Sequence, residues 1–124
     1  MAFKSITTFQ APPQIERMVH RQRLEEGAAV YVVEDGVYIV VSRGEKPTGG
    51  YGIRVANVEE EEDGSGFNVL VEYQDPKPGQ LVAQVVTYPF AVVKVDLKNI
   101  KNDTAFKFLV DGNRWLECTA ERLE

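Results

Sequence analysis

The sequence predicts a mainly β protein, a small antiparallel β-sandwich or partly open barrel with one short N-terminal helix. Three observations favour this class. The chain has 124 residues, 44% of them hydrophobic, which is enough to bury one core without disulfides. Most of it consists of short runs rich in β-branched and aromatic residues, separated by clusters of Gly, Pro and Asp. Only one stretch has helical periodicity. We therefore expect a single domain over residues 1–124.

The N-terminal part contains the helical signal. Residues 1–11 lack clear periodicity, and we expect either a loose arm or an added edge strand there. Residues 12–27 predict the helix, because a Pro-Pro pair suits its first turn and Gly27 suits its end. Ile15, Met18, Val19 and Gln22 fall on one face of this helix, and the first three of them form an apolar stripe. This face is expected to cover one side or end of a sheet.

Eight short strands are predicted in the β domain, over residues 28–119. Asp35-Gly36 and Asp111-Gly112-Asn113 are hairpin signals, since Asp-Gly adopts the tight turns that join antiparallel strands. Pro89 cannot donate to a strand ladder, so it should mark a bend, a bulge or an edge. The predicted strands cover residues 28–34, 37–43, 51–58, 67–74, 81–88, 90–96, 104–111 and 114–119.

Charge and hydropathy argue against binding to nucleic acid and against a membrane span. The chain has 19 acidic and 14 basic residues, a net charge of -5 that opposes attraction to nucleic-acid phosphates. The longest nearly uncharged stretch, residues 78–93, is too short and too interrupted for a membrane span. No signal-peptide pattern opens the sequence, so the expected compartment is the cytoplasm. An extracellular or cell-surface location is the alternative if a leader precedes this sequence.

Catalytic, cofactor and metal sites are not expected. The glycines of residues 44–52 do not have the spacing of a phosphate-binding loop. A strand is predicted after them, whereas a phosphate-binding loop is followed by a helix. His20 lies among arginines on the predicted helix, and no triad accompanies it. Cys118 is expected to pack as a small apolar residue. The acidic run of residues 59–63 lacks calcium-loop spacing and is interpreted as a solvated hairpin tip. We therefore predict no catalytic residue, no cofactor and no metal.

Two segments remain as candidates for recognition. The first, residues 44–52, contains four glycines and one proline between two strands, and these residues specify a loop of defined shape. The second places two aromatic residues around Pro89. The predicted protein-binding residues are Pro47, Thr48, Gly49, Gly50, Tyr51, Tyr88, Pro89 and Phe90. An alternative interpretation is structural: Tyr51 and Phe90 anchor their loops in the core, and the Thr48 hydroxyl caps a turn.

The same segments resemble a known family, the C-terminal domain of the protease complex subunit PrcB. The resemblance covers residues 28–96. Its residues are Gly44-Glu45-Lys46-Pro47-Thr48-Gly49-Gly50-Tyr51, Pro78-Gly79 and Gln84-Val85-Val86-Thr87-Tyr88-Pro89. The resemblance implies a non-enzymatic domain that associates with a bacterial surface peptidase and helps to stabilise it. Members are often exported or lipid-anchored, and this sequence shows neither a leader nor a lipobox.

A more distant similarity concerns inhibition. Lys46-Pro47-Thr48-Gly49-Gly50-Tyr51 is similar to the Asn-Pro-Thr-Thr-Gly-Tyr loop of chagasin-type cysteine peptidase inhibitors, which are immunoglobulin-like β-sandwiches. In that family a later aromatic-proline loop enters the peptidase cleft beside the first, and Tyr88-Pro89-Phe90 is the corresponding segment here. This chain has Lys at position 46, Gly at position 49 and no Arg-Pro-Trp pattern.

The sequence therefore predicts a protein-binding domain of a peptidase complex. A cysteine peptidase inhibitor is the first alternative, and a purely structural domain is the second. The peptidase-complex and inhibitor hypotheses both require the two segments to lie side by side at one end of the fold. The structural hypothesis requires Tyr51 and Phe90 to be fully buried, with no exposed apolar patch near the loop.

Overall fold

The computed structural model describes residues 2–97, 100–101 and 103–123, and this part of the chain is mainly β, as predicted. A 3-10 turn at Thr8–Gln10 precedes helix α1, Pro13–Gln22. The strands are β1 Phe3–Ile6, β2 Glu26–Val33, β3 Gly36–Arg43, β4 Gly52–Glu60, β5 Gly66–Gln74, β6 Phe90–Val95, β7 Ala105–Val110 and β8 Asn113–Arg122.

The strands form one sheet in the order β1-β6-β3-β2-β8-β7-β5-β4. Its edge strand β4 lies close to β6, β3 and β1 at the opposite side of the sheet, so the sheet is nearly closed into a barrel. Strand β8 joins the two halves, because its first part pairs with β7 and its last residues pair with β2. The protein therefore has one continuous interior, as a partly open barrel requires.

The sheet is not purely antiparallel, and the prediction was wrong on this point. Strand β8 runs parallel to β2, and β7 runs parallel to β5. Parallel neighbours need a long crossover between them. The chain supplies one for β5 and β7, since it passes through β6 in the other half of the sheet before it returns.

Two apolar clusters hold the sheet together. The larger one fills the barrel with Val and Ile side chains from both halves and with Phe67, Phe106 and Phe108. The Phe67 and Phe106 rings stack with their centroids 5.2 Å apart. The smaller cluster lies on the outer face of the sheet, where Ile15 and Val19 of α1 are fully buried. The helix thus covers one face of the sheet, as its apolar stripe predicts.

The N-terminal region differs in detail from the prediction. Of the two expectations for residues 1–11, the edge strand is found, since Phe3–Ile6 pairs with β6. The helix ends at Gln22, earlier than the predicted residue 27. The chain turns there into β2, and the Ser42 hydroxyl stabilises the turn by donating a 2.7 Å hydrogen bond to the Glu25 carbonyl.

The predicted strand at residues 81–88 is absent. Only Thr87 makes an isolated bridge there, with Lys46. Residues 81–86 have the β-branched composition of a strand. Both edges of β3 are already paired, with β2 and with β6, so residues 81–86 cannot pair with β3. Residues 75–89 instead form an irregular connection, which we call the arm.

Candidate functional site

The two predicted recognition segments lie side by side. The loop of residues 44–52, which we call the glycine loop, runs antiparallel to the arm. Lys46 and Thr87 exchange two main-chain hydrogen bonds of 2.8 and 2.9 Å, and the Gly49 N–H donates to the Ala83 carbonyl at 2.8 Å. The Thr87 hydroxyl also donates to the Thr48 carbonyl at 2.8 Å. We call the surface made by the glycine loop and the arm the loop–arm surface.

The glycine loop exposes its tip and uses its backbone for packing. Pro47 and Gly50 are exposed, and Thr48 and Gly49 are half-buried. The Thr48 hydroxyl donates to the Gly49 carbonyl at 2.9 Å, which is the turn-stabilising role expected of this side chain. At Gly50, φ is +90°, and a Cβ atom there would lie 2.7 Å from Val82 Cγ1. A glycine at position 50 therefore permits close contact between loop and arm.

Tyr51 is half-buried and packs on a buried cation. The Arg43 guanidinium carbon lies 5.4 Å from the centre of the Tyr51 ring and 4.1 Å from the centre of the Tyr73 ring. Lys46 Nζ lies 5.6 Å from the Tyr51 ring. Such cation–π contacts hold an aromatic side chain in place at the surface.

The second aromatic segment is divided between surface and core. The Tyr88 hydroxyl donates to Glu45 at 3.2 Å, and this hydrogen bond raises the pKa of Tyr88. The Pro89 carbonyl accepts a 2.9 Å hydrogen bond from the Arg43 N–H, where β6 begins. Phe90 is the first residue of β6 and packs against the smaller apolar cluster, the one that contains Ile15 and Val19 of α1. Tyr88 and Pro89 thus belong to the loop–arm surface, whereas Phe90 contributes mainly to the core.

The arm also exposes apolar side chains that the prediction did not name as binding residues. The exposed fractions are 98% for Leu81, 57% for Val85 and 52% for Val86. No residue from 78 to 93 carries a formal charge. The lack of charge is visible in the sequence. The strand predicted for residues 81–88 concealed its meaning, because alternate side chains of a strand point to opposite faces and half of them would be buried.

Arg43 is a further residue that sequence reasoning missed as part of the site. Its side chain is 6% exposed, and its Nη1 contacts Asp75 Oδ1 at 2.8 Å. Tyr73, on its other side, donates a 2.9 Å hydrogen bond to Glu26, and burial together with this bond raises the pKa of Tyr73. An arginine at the end of a strand is usually exposed, so only the folded structure reveals that it is buried here.

The other polar features are peripheral. The acidic run lies at the turn between β4 and β5, where Glu61 is 3.6 Å from Lys107. His20 is exposed on α1 and lies 3.6 Å from Glu16. Cys118 is half-buried at the edge of the barrel core, and burial raises the pKa of its thiol. No helix in the described ranges is long and apolar enough to cross a membrane.

Residues 37–96 match the family model of the PrcB C-terminal domain. This part of the chain is similar to the PrcB C-terminal family. The resemblance seen in the sequence is thereby confirmed. The matched range extends from β3 to the end of β6, so it includes both the glycine loop and the arm. No curated protein and no solved structure matches the chain.

Proposed function

We propose that the chain is a non-enzymatic protein-binding domain that associates with a bacterial peptidase through the loop–arm surface and stabilises it. The observation that carries the proposal is an exposed apolar stretch of the arm, residues 78–89, which carries no formal charge and is held against a rigid loop. The PrcB family match supports a protein–protein role, and the resemblance implies a peptidase as the partner.

The side chains of the arm favour contact with another protein. Charged residues make up 27% of the chain, yet residues 78–93 contain none. Leu81 is almost fully exposed, and Val85 and Val86 are exposed close to it in the sequence. A single exposed apolar residue is normal, but a group of them on one surface is typical of an interaction site.

The backbone of the arm offers further contacts. Among the residues that the structure describes, the main chain of residues 81–86 makes one main-chain hydrogen bond, from Gly49 to Ala83. The Val82 carbonyl accepts a 3.3 Å hydrogen bond from the Gln84 side chain. The remaining N–H and C=O groups of this stretch are available to water or to a partner's backbone. The loop itself is held by Gly, Pro and hydrogen bonds, so binding costs little ordering entropy.

The decisive experiment measures binding by two variants of this surface. The tagged protein is expressed in its native host, and a co-purifying peptidase is identified by mass spectrometry and by proteolytic activity. Purified variants are then titrated against that peptidase. Tyr51→Ala is expected to lose more than about 1 kcal/mol of binding free energy, because aromatic anchors dominate interfaces. Leu81→Ser is expected to weaken binding without a loss of stability, since the side chain is 98% exposed.

The matched control is Phe9→Ala. Phe9 is 94% exposed, and it belongs neither to the glycine loop nor to the arm. It should bind with wild-type affinity, and circular dichroism should show that all three variants are folded. Wild-type affinity of both Tyr51→Ala and Leu81→Ser would contradict the proposal.

A second candidate, inhibition of cysteine peptidases, is favoured by one observation. The Pro47–Tyr51 tip and the Tyr88-Pro89 segment lie at the same side of the fold, as a two-loop wedge requires. Under this alternative, an equimolar amount of the protein should slow a papain-like peptidase, and Tyr51→Ala should relieve the inhibition. Full activity across a panel of such peptidases would remove this candidate.

A further inference from the structure

We propose that Arg43 is the positioning residue that holds the glycine loop and the arm together as one surface. The use of that surface in binding rests on the function proposed above, but the geometry of Arg43 does not. A loop and an arm of irregular backbone would ordinarily move independently, because such connections have few buried contacts. Direct hydrogen bonds join the loop to the arm, and Arg43 adds a connection at their common base.

Arg43 contacts all four ends of the two segments. It directly precedes Gly44, where the glycine loop begins, and its Nη1 donates to the carbonyl of Gly52, where the loop ends, at 3.2 Å. The same nitrogen lies 3.0 Å from the carbonyl of Gln74, which precedes the arm. Its main-chain N–H donates to Pro89, at the far end of the arm, at 2.9 Å.

Two further contacts add to this arrangement. Asp75, the first residue of the arm, forms a 2.8 Å ion pair with Nη1, and its own side chain is 65% exposed. On either side of the guanidinium lie the rings of Tyr51 and Tyr73. Arg43 therefore fixes the side chain of the proposed aromatic anchor as well as the ends of both segments.

A role in filling the core does not account for this residue. Burial of a guanidinium carries a large desolvation cost, and a well-packed apolar side chain of similar volume is often as stable or more stable. Here the Nε atom is buried and has no hydrogen-bond partner among the described residues. What the guanidinium provides, and an apolar side chain cannot, is simultaneous bonding to the carbonyl of Gly52 at the end of the loop and to the Asp75 carboxylate at the start of the arm.

The test measures local opening of the free protein by amide hydrogen exchange in NMR. The reporters are the N–H groups of Lys46, Gly49 and Thr87, which donate hydrogen bonds between loop and arm. In Arg43→Met these three amides are expected to exchange at least roughly tenfold faster, because hydrogen bonds to a charged group are lost. Amides of Ile39 and Val93, within paired strands, should keep their wild-type rates.

Two more variants keep the test decisive. Arg43→Lys retains the charge but not the forked geometry, so the exchange rates of the three reporter amides should rise by less than in Arg43→Met. Asp75→Asn leaves the two carbonyl contacts and should give a smaller increase at the same amides, even if Arg43→Met does not fold. The control is Arg54→Met, which removes an exposed arginine paired with Glu72 on neighbouring strands and should change none of the three reporters.

The outcomes separate this inference from the proposed function. Unchanged exchange at the three reporters, or an equal increase at Ile39 and Val93, would overturn the positioning role. Faster exchange confined to the reporters would establish it, whatever the peptidase measurements show. Failure of Tyr51→Ala and Leu81→Ser to weaken binding would reject the surface as a binding site and leave the role of Arg43 intact.

Discussion

Replacement of Phe106 by alanine is expected to lower the free energy of unfolding by about 3–5 kcal/mol. Phe106 lies on β7 at the centre of the barrel, with an exposed fraction of 0%, and its ring stacks on Phe67. The substitution removes apolar area and leaves a cavity. The neighbouring strands β5 and β8 cannot move to fill it, because both are paired with β7. A single domain has about 5–15 kcal/mol of stability in total, so much of it would be lost.

The measurement is urea unfolding, followed by the fluorescence of Trp115. Phe9→Ala is the matched control, because it removes the same side chain from a position that is 94% exposed. Its stability should stay within about 0.5 kcal/mol of wild type. A loss below about 1 kcal/mol in Phe106→Ala would mean that the barrel interior can repack, contrary to the closed arrangement of the strands.

Local signals in the sequence were sufficient for much of the fold. The helix stripe of Ile15 and Val19 was predicted and is buried. The Asp111-Gly112 turn was predicted, and both residues have positive φ, as its turn type requires. At the other predicted hairpin the turn is shifted by one residue, since Gly36 already pairs with Val33. These features depend on neighbours in the sequence, which is why periodicity and turn chemistry reveal them.

Non-local pairing was the part that the sequence could not reveal. The parallel contacts of β2 with β8 and of β5 with β7 join segments that are distant in the chain. Residues 81–86 have a strand-like composition, but only the order of the sheet shows that no position beside β3 is open to them. The four residues of β1 are too few for a periodic signal.

In the candidate site, too, the sequence revealed the local features and did not reveal those that depend on the fold. Residues 47–51 and Tyr88-Pro89 were chosen from Gly, Pro and aromatic content, and they do lie on one surface. Arg43 and Leu81 were not chosen, because their importance depends on burial and exposure created by the fold. Arg43 is buried, and its guanidinium donates to the carbonyls of Gly52 and Gln74, which belong to distant parts of the chain. Leu81 stayed exposed because its segment did not enter the sheet.

Gly44→Ala is expected to be the more damaging of two matched glycine substitutions. Gly44 and Gly64 have nearly the same backbone angle, with φ of +74° and +73°. Alanine in this left-handed region costs about 1–2 kcal/mol at either position. Only at position 44 would the added Cβ also meet other backbone atoms, 2.9 Å from the Glu26 nitrogen and 3.2 Å from the Glu25 carbonyl carbon, whereas Gly64 has nothing within 4 Å.

The difference between the two variants therefore isolates the contact from the backbone strain. Urea unfolding should show a loss of about 1–2 kcal/mol for Gly64→Ala and about 1–3 kcal/mol more for Gly44→Ala, the usual cost of overpacking. Because Gly44 directly follows Arg43, its displacement should also speed amide exchange at Lys46, which Gly64→Ala should leave unchanged. Equal losses in the two variants would mean that the start of β2 can move aside, and the base of the glycine loop would then be less rigid than its close contacts indicate.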